Sequence, residues 1–177
     1  MLLKGLILFC VIKASFCFIP EQIRLSLRSD GKTFAVTWTT YESTPTFVEF
    51  GDDFLSLTQI EGQEEHFPGA NEFIHRVIFP ENLPENQRIY YRVGSSLGWS
   101  ELFWFKTFPA GENWVLKMAI FGDLGNVNGV SLPRLKQDTE ENMYDLILHV
   151  GDFAYDMFNV RFMIFLNISI IFRFKRP

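Results

Sequence analysis

Regular alternation of large apolar side chains with smaller or polar ones is the feature of this sequence that most restricts its fold. Residues 23–27 and 34–39 each place a large apolar side chain at every second position. A period of two is typical of a half-buried β-strand. Ser29, Asp30 and Gly31, which lie between the two runs, are turn-forming residues. The two runs therefore predict a β-hairpin.

Further short strands with turn-forming glycine and proline between them are predicted along the chain as far as Phe108. They fall at residues 47–50, 76–79, 89–93 and 102–107. This number of strands in about 90 residues is typical of an immunoglobulin-like β-sandwich. Trp38 is the expected buried ring of its core.

The predicted sandwich carries no catalytic pattern. We interpret His66 and His75 as solvated or structural histidines, and residues 61–66 as an acidic loop exposed to solvent. With 16 basic and 21 acidic residues and a net charge of -5, the chain lacks the cluster of positive charge that nucleic-acid binding requires. We therefore expect no nucleic-acid partner.

The pattern changes after residues 109–114, which we interpret as a linker. Residues 115–121 form an apolar run, residues 130–144 have apolar side chains at helical spacing, and residues 146–150 form a second apolar run. Pro133 suits the first turn of the helix. Strand, helix and strand in this order predict a βαβ unit with two parallel strands.

Two aspartates follow the predicted parallel strands, Asp123 after Gly122 and Asp152 after Gly151. The carboxyl ends of neighbouring parallel strands lie about 4.8 Å apart, so we expect the two carboxylates to meet. Like charges at that distance repel unless a cation lies between them, and carboxylate oxygens suit a hard metal ion. Tyr155 lies close enough in sequence to reach the same point. Taken singly, each Gly-Asp pair is equally well explained as an ordinary turn.

These residues also carry a family resemblance. Residues 122–125 (GDLG) and 151–155 (GDFAY) resemble the GDxG and GDxxY metal motifs of the purple acid phosphatases, which are calcineurin-like metallophosphoesterases. Larger members of that family also have an N-terminal fibronectin type III-like domain. The expected fold is therefore mainly β: a fibronectin III-like β-sandwich followed by the first βαβ unit of an α/β metallophosphoesterase domain.

The resemblance implies the ligands and the reaction. Asp123 would bind a ferric ion, Asp152 would bridge it to a second divalent metal (zinc, manganese or iron), and Tyr155 would be a phenolate ligand. The implied activity is acid phosphatase, the hydrolysis of phosphate monoesters. His149 also invites a metal interpretation, but its place inside an apolar run favours a core histidine.

The sequence departs from the family after Met157. The Asn-His motif and the two later histidine motifs of the family do not follow, and residues 158–177 are apolar and basic with no acidic residue. We interpret this tail as the product of a retained intron or an alternative terminal exon. The expected protein is an incomplete, weakly active or inactive form of the enzyme. The alternatives are a secreted β-sandwich binding module without catalysis and, less favoured, a protein that contacts membranes through the tail.

The first 17 residues have the basic start, apolar core and small residues of a secretory signal peptide, with cleavage expected before Phe18. Both cysteines, Cys10 and Cys17, lie in this segment. The predicted organisation is thus a signal peptide at 1–17, a sandwich at 18–108, the linker, the start of a metallophosphoesterase domain at 115–157, and a divergent tail at 158–177. We expect secretion, with the lysosome as the alternative destination.

Overall fold

The computed structural model describes residues 17–124 and 129–151, which form eleven β-strands and one α-helix. The strands are β1 (Glu21–Leu27), β2 (Phe34–Thr40), β3 (Phe47–Gly51), β4 (Thr58–Glu61), β5 (Gln63–His66), β6 (Phe73–Ile78), β7 (Arg88–Ser95), β8 (Gly98–Trp99), β9 (Phe103–Lys106), β10 (Met118–Phe121) and β11 (Leu146–His149). The helix α1 spans Leu132–Glu140. The predicted signal peptide, apart from Cys17, and the tail at 158–177 lie outside the described residues.

The first nine strands form two antiparallel sheets. One has the order β1-β2-β6-β5; in the other, β3 lies between β4 and β7, and β7 also pairs with β8 and β9. The predicted β1–β2 hairpin is confirmed, and its turn is closed by hydrogen bonds between Arg28, Gly31 and Thr33. The mainly β fold with an N-terminal sandwich is therefore confirmed.

The core of the sandwich is formed by side chains from both sheets. Leu25, Val36 and Val77 of one sheet and Tyr91 and Val93 of the other are fully buried. Trp38 is also fully buried, as predicted. Strand alternation therefore directs one face of each sheet into a single apolar layer.

The prediction that residues 61–66 form a loop is wrong, although their predicted exposure to solvent is confirmed for most of them. Residues 58–61 and 63–66 are the strands β4 and β5, and β5 pairs with β6 so that Glu64 lies opposite His75. Both strands lie at sheet edges and most of their side chains are exposed. Edge strands exposed to water show no apolar period, so the sequence pattern gave no signal for them.

The βαβ unit is present, with shorter elements than the sequence pattern indicated. Strands β10 and β11 pair in parallel, and α1 connects them. The helix ends at Glu140 rather than at residue 144, because Asn142 adopts a left-handed conformation (φ 63°) and the amide of Met143 bonds back to the carbonyl of Asp138 at 2.9 Å. The left-handed residue and the hydrogen bond back to Asp138 are both typical of helix termination.

The βαβ unit and the linker that precedes it both contact the sandwich. Leu146 packs against the core of the sandwich, and the ring of Trp114 stacks on that of Phe108 with centroids 5.2 Å apart. No helix among the described residues has the length and apolar character needed to cross a membrane.

Candidate metal centre

The strands β10 and β11 bring the candidate metal-binding segments together. Phe121 lies opposite His149, and the amide of Val150 donates to the carbonyl of Phe121 at 2.8 Å. One residue further, the amide of Asp123 lies 3.3 Å from the carbonyl oxygen of Gly151. The backbone of Asp123 is therefore adjacent to the residue that immediately precedes Asp152.

Asp123 has a backbone conformation that is uncommon for residues with a side chain. Its φ is 54°, in the left-handed region, which aspartate and asparagine adopt more readily than other residues with a Cβ. Such conformations carry strain and cluster at functional sites. The turn directs the chain away from β10 at the edge of the sheet where ligands of open α/β folds bind.

The two glycines that precede the aspartates have different structural roles. A Cβ on Gly122 would lie 3.3 Å from the carbonyl oxygen of Gly151, so its absence permits the close approach of the two strand ends. Gly151 has a φ of 121°, which residues with a Cβ rarely adopt. The Gly-Asp pairs are therefore consistent with the geometry of both turns.

Asp152 and Tyr155, the other two predicted ligands, lie outside the described residues. Within residues 17–124 and 129–151, no group of three or more His, Cys, Asp or Glu side chains comes together in a way that could hold a metal. The fit to a metal therefore rests on the converging backbone and on the predicted donor set of two carboxylates and one phenolate, which suits a hard cation.

His149 is half-buried, and its ring lies edge-on to Phe121 with centroids 5.0 Å apart. The aromatic contact favours the packing interpretation of this histidine over the metal interpretation.

His75 is an ionisable residue of the sandwich whose side chain is fully inaccessible. Its Nδ1 lies 2.7 Å from the hydroxyl of Thr46 and its Nε2 lies 2.8 Å from that of Thr40. The sequence interpretation left His75 as solvated or structural, and its burial makes it structural. The strand period is the signal that could have distinguished the two, since His75 and the buried Val77 lie on the same face of β6.

Comparison with known proteins finds relatives that match most of this chain. The protein-family model of the purple acid phosphatase N-terminal domain matches residues 20–107. Acid phosphatase type 7 of Homo sapiens is 39% identical over 145 residues, which cover 78% of this chain and 33% of that protein. The Mus musculus protein of the same name is 40% identical over 145 residues, with the same coverage.

A solved structure shares the fold. The structure of a purple acid phosphatase from yellow lupin (Lupinus luteus) seeds superimposes with a TM-score of 0.63 at 24% sequence identity, covering 77% of this chain and 30% of that one. The chain therefore spans about a third of the length of the relatives that it matches. By its N-terminal domain and its identity to these relatives, the chain belongs to the purple acid phosphatase family.

Proposed function

We propose that residues 115–157 contribute part of the metal centre of an acid phosphatase, with Asp123, Asp152 and Tyr155 as ligands. The observation that carries this proposal is the approach of the Asp123 amide to the Gly151 carbonyl at 3.3 Å. Because Asp152 directly follows Gly151 in the sequence, this approach supports a placement of both aspartates at the same sheet edge. The names of the relatives support phosphatase chemistry.

In this proposal the chain positions its own donors before any ligand binds. The left-handed turn at Asp123 and the close approach at Gly122 fix where the first carboxylate leaves the sheet. Metal ions bound at such a site would supply positive charge that neutralises the phosphate ester. They would also lower the pKa of a bound water, which then hydrolyses the ester. Iron and a second divalent metal (zinc, manganese or iron) are the metals that the family resemblance implies.

We further propose that this chain has little or no turnover. Two metal ions held rigidly with an open coordination position need more ligands than two carboxylates and one phenolate. Asp123, Asp152 and Tyr155 are the three ligands that the family resemblance assigns within this sequence. We also propose that the substrates are phosphate monoesters. The proposed destination of the protein is the extracellular space or the lysosome.

The test measures metal content and p-nitrophenyl phosphate hydrolysis at acid pH in the full chain and in Asp123→Asn and Asp152→Asn. We expect bound metal in the parent chain and less of it in both variants. Glu140→Gln, an exposed change of the same kind on α1, is the control and should retain the metal of the parent. Equal metal content in parent and Asp152→Asn would refute the ligand assignment.

Turnover is judged separately from metal content. Rates at background in all four proteins are expected from an incomplete site. A substantial rate that Asp152→Asn abolishes would retain the ligand assignment and overturn the proposal of an inactive chain.

The second candidate is a secreted binding module without catalysis. It is favoured by the contrast between the sandwich, which has a closed core, and the two-stranded sheet of β10 and β11, where Ile120 and Leu148 are exposed. Background metal content in the parent chain, together with cooperative unfolding of the sandwich, would support the module over the phosphatase.

A further inference from the structure

The two faces of the β10–β11 sheet are covered to very different extents. Ala119 and Ile147, which lie opposite each other on one face, are 8% and 3% exposed. The alternate positions on the other face form what we call the open face: Met118 (44% exposed), Ile120 (57%), Leu148 (46%) and Val150 (62%). Parallel sheets in folded proteins are covered on both faces. The open face therefore lacks a covering layer among the described residues.

The sandwich covers only the start of this face. Leu146, which lies opposite Met118, packs against the sandwich core, whereas Ile120, Leu148 and Val150 lie further along the strands and are exposed. The three side chains are neighbours, because Ile120 pairs with Leu148 and the amide of Val150 continues the ladder to Phe121. The result is a continuous apolar surface next to the sandwich.

We propose that the segment Phe162–Phe172 of the same chain packs on the open face. Its composition matches the surface, because nine of its eleven residues are apolar and only Asn167 and Ser169 are polar. A segment of this composition exposed to water favours intermolecular β-association, so coverage within the chain removes two apolar surfaces from water at once.

The length of the chain permits this contact. The described chain stops at Gly151, at the end of the open face, and residues 152–161 could span up to about 33 Å when extended. Four residues along a strand measure about 13 Å. Eleven residues exceed that length in either regular conformation, at about 16 Å as a helix and about 36 Å as a strand.

Charge complementarity also favours an occupant from the tail. Residues 158–177 carry four basic residues and no acidic one: Arg161, Arg173, Lys175 and Arg176. Between residues 112 and 151 there are six acidic and three basic residues. Attraction between the two regions would therefore assist docking at low ionic strength. The proposal does not depend on the metal centre.

The test places the photo-crosslinking residue benzoylphenylalanine at position 120 of the full chain. We expect crosslinks to residues 162–172, identified by mass spectrometry. The same residue at position 55 is the control, because Leu55 lies in the turn between β3 and β4 and is 81% exposed; it should not react with that segment. Mixing chains labelled with nitrogen-14 and nitrogen-15 separates contacts within a chain from contacts between chains.

Crosslinks between chains would assign the open face to a second copy and overturn the proposal, as would crosslinks that miss residues 162–172 or no crosslink at all. A second measurement uses the double variant Ile168→Asp/Ile171→Asp. We expect amide hydrogen exchange in β10 and β11 to become faster by about tenfold. Leu55→Asp should leave that exchange unchanged, and unchanged exchange in the double variant would also overturn the proposal.

Discussion

The imidazole of His75 stacks on the indole of Trp38, with ring centroids 5.2 Å apart and an interplanar angle of 11°. The hydroxyl of Thr40 donates to the carbonyl of Glu42 at 2.6 Å, so it accepts from Nε2 of His75. Nδ1 then accepts from the hydroxyl of Thr46 at 2.7 Å. This hydrogen-bond pattern suits a neutral histidine protonated on Nε2.

Stability is expected to fall on mild acidification because of His75. Burial lowers the pKa of its imidazole below the ordinary value of 6.5, and the nearby carboxylate of Glu64 opposes that shift in part. The unfolded chain therefore takes up a proton near pH 6.5, while the folded chain does so only at lower pH. The free energy of unfolding should decrease as the pH falls below 6.5 towards the folded pKa, by at most about 1.4 kcal/mol per pH unit.

Denaturant titrations between pH 7.5 and 5.5 check this dependence. In His75→Gln we expect lower stability throughout and a flatter dependence on pH in that window. His66 is exposed, so His66→Gln serves as the control and should keep the slope of the parent. An unchanged slope in His75→Gln would contradict the assignment.

The carboxylate of Glu64 is expected to raise the pKa of His75. Its Oε2 lies 3.9 Å from Nε2 of His75, and the carboxylate also accepts hydrogen bonds from the hydroxyl of Ser43 and the amide of Thr44. Removing the charge in Glu64→Gln should lower the pKa of His75 further, as measured by NMR titration of the imidazole carbons. Glu65→Gln, an exposed neighbour, should leave it unchanged, and a rise in Glu64→Gln would refute the coupling.

Among the described residues, Gly94 is expected to be the glycine least tolerant of substitution. It has a φ of 133°, and a Cβ there would overlap the carbonyl oxygen of Gly98. Gly94→Ala should lower the free energy of unfolding by about 3 kcal/mol or more. Gly69→Ala is the matched control, because its φ is 87° with nothing within 4 Å of the added Cβ. The control should lose only about 1 kcal/mol; equal losses would show that strain at positive φ, not overlap, dominates at Gly94.

The hydroxyl of Tyr91 is expected to destabilise the fold. Tyr91 is fully buried, its hydroxyl has no hydrogen-bond partner among the described residues, and burial raises the pKa of the phenol. Leaving such a group unsatisfied costs about 1–3 kcal/mol. Tyr91→Phe should therefore raise the free energy of unfolding in denaturant titration, whereas most core substitutions lower it.

Tyr90 provides the control for that change. Its hydroxyl accepts a hydrogen bond from Nη1 of Arg88 at 3.4 Å on the outer face of the same strand. Tyr90→Phe should change stability by no more than about 0.5 kcal/mol. A clear loss of stability in Tyr91→Phe would mean that its hydroxyl is satisfied.

Local sequence patterns predicted the elements that have a regular arrangement of apolar side chains. The β1–β2 hairpin and the burial of Trp38 followed from strand alternation, and the parallel pair followed from two apolar runs separated by a helical pattern. The strands β4 and β5 escaped prediction because they are edge strands whose polar side chains show no apolar period. The end of α1 was misplaced because the left-handed turn at Asn142 depends on hydrogen bonds beyond the periodic pattern.

The sequence by itself determined the strand period, the helix between the two apolar runs, and the spacing of the two Gly-Asp pairs, because these depend on residues close together in the chain. Only the tertiary structure decided that Asp123 contacts Gly151, that His75 is sealed beside Trp38, and that one face of the β10–β11 sheet is exposed. Each of these depends on pairing between residues about 30 or more positions apart, and the free energy of such pairing comes from burial that no local pattern specifies.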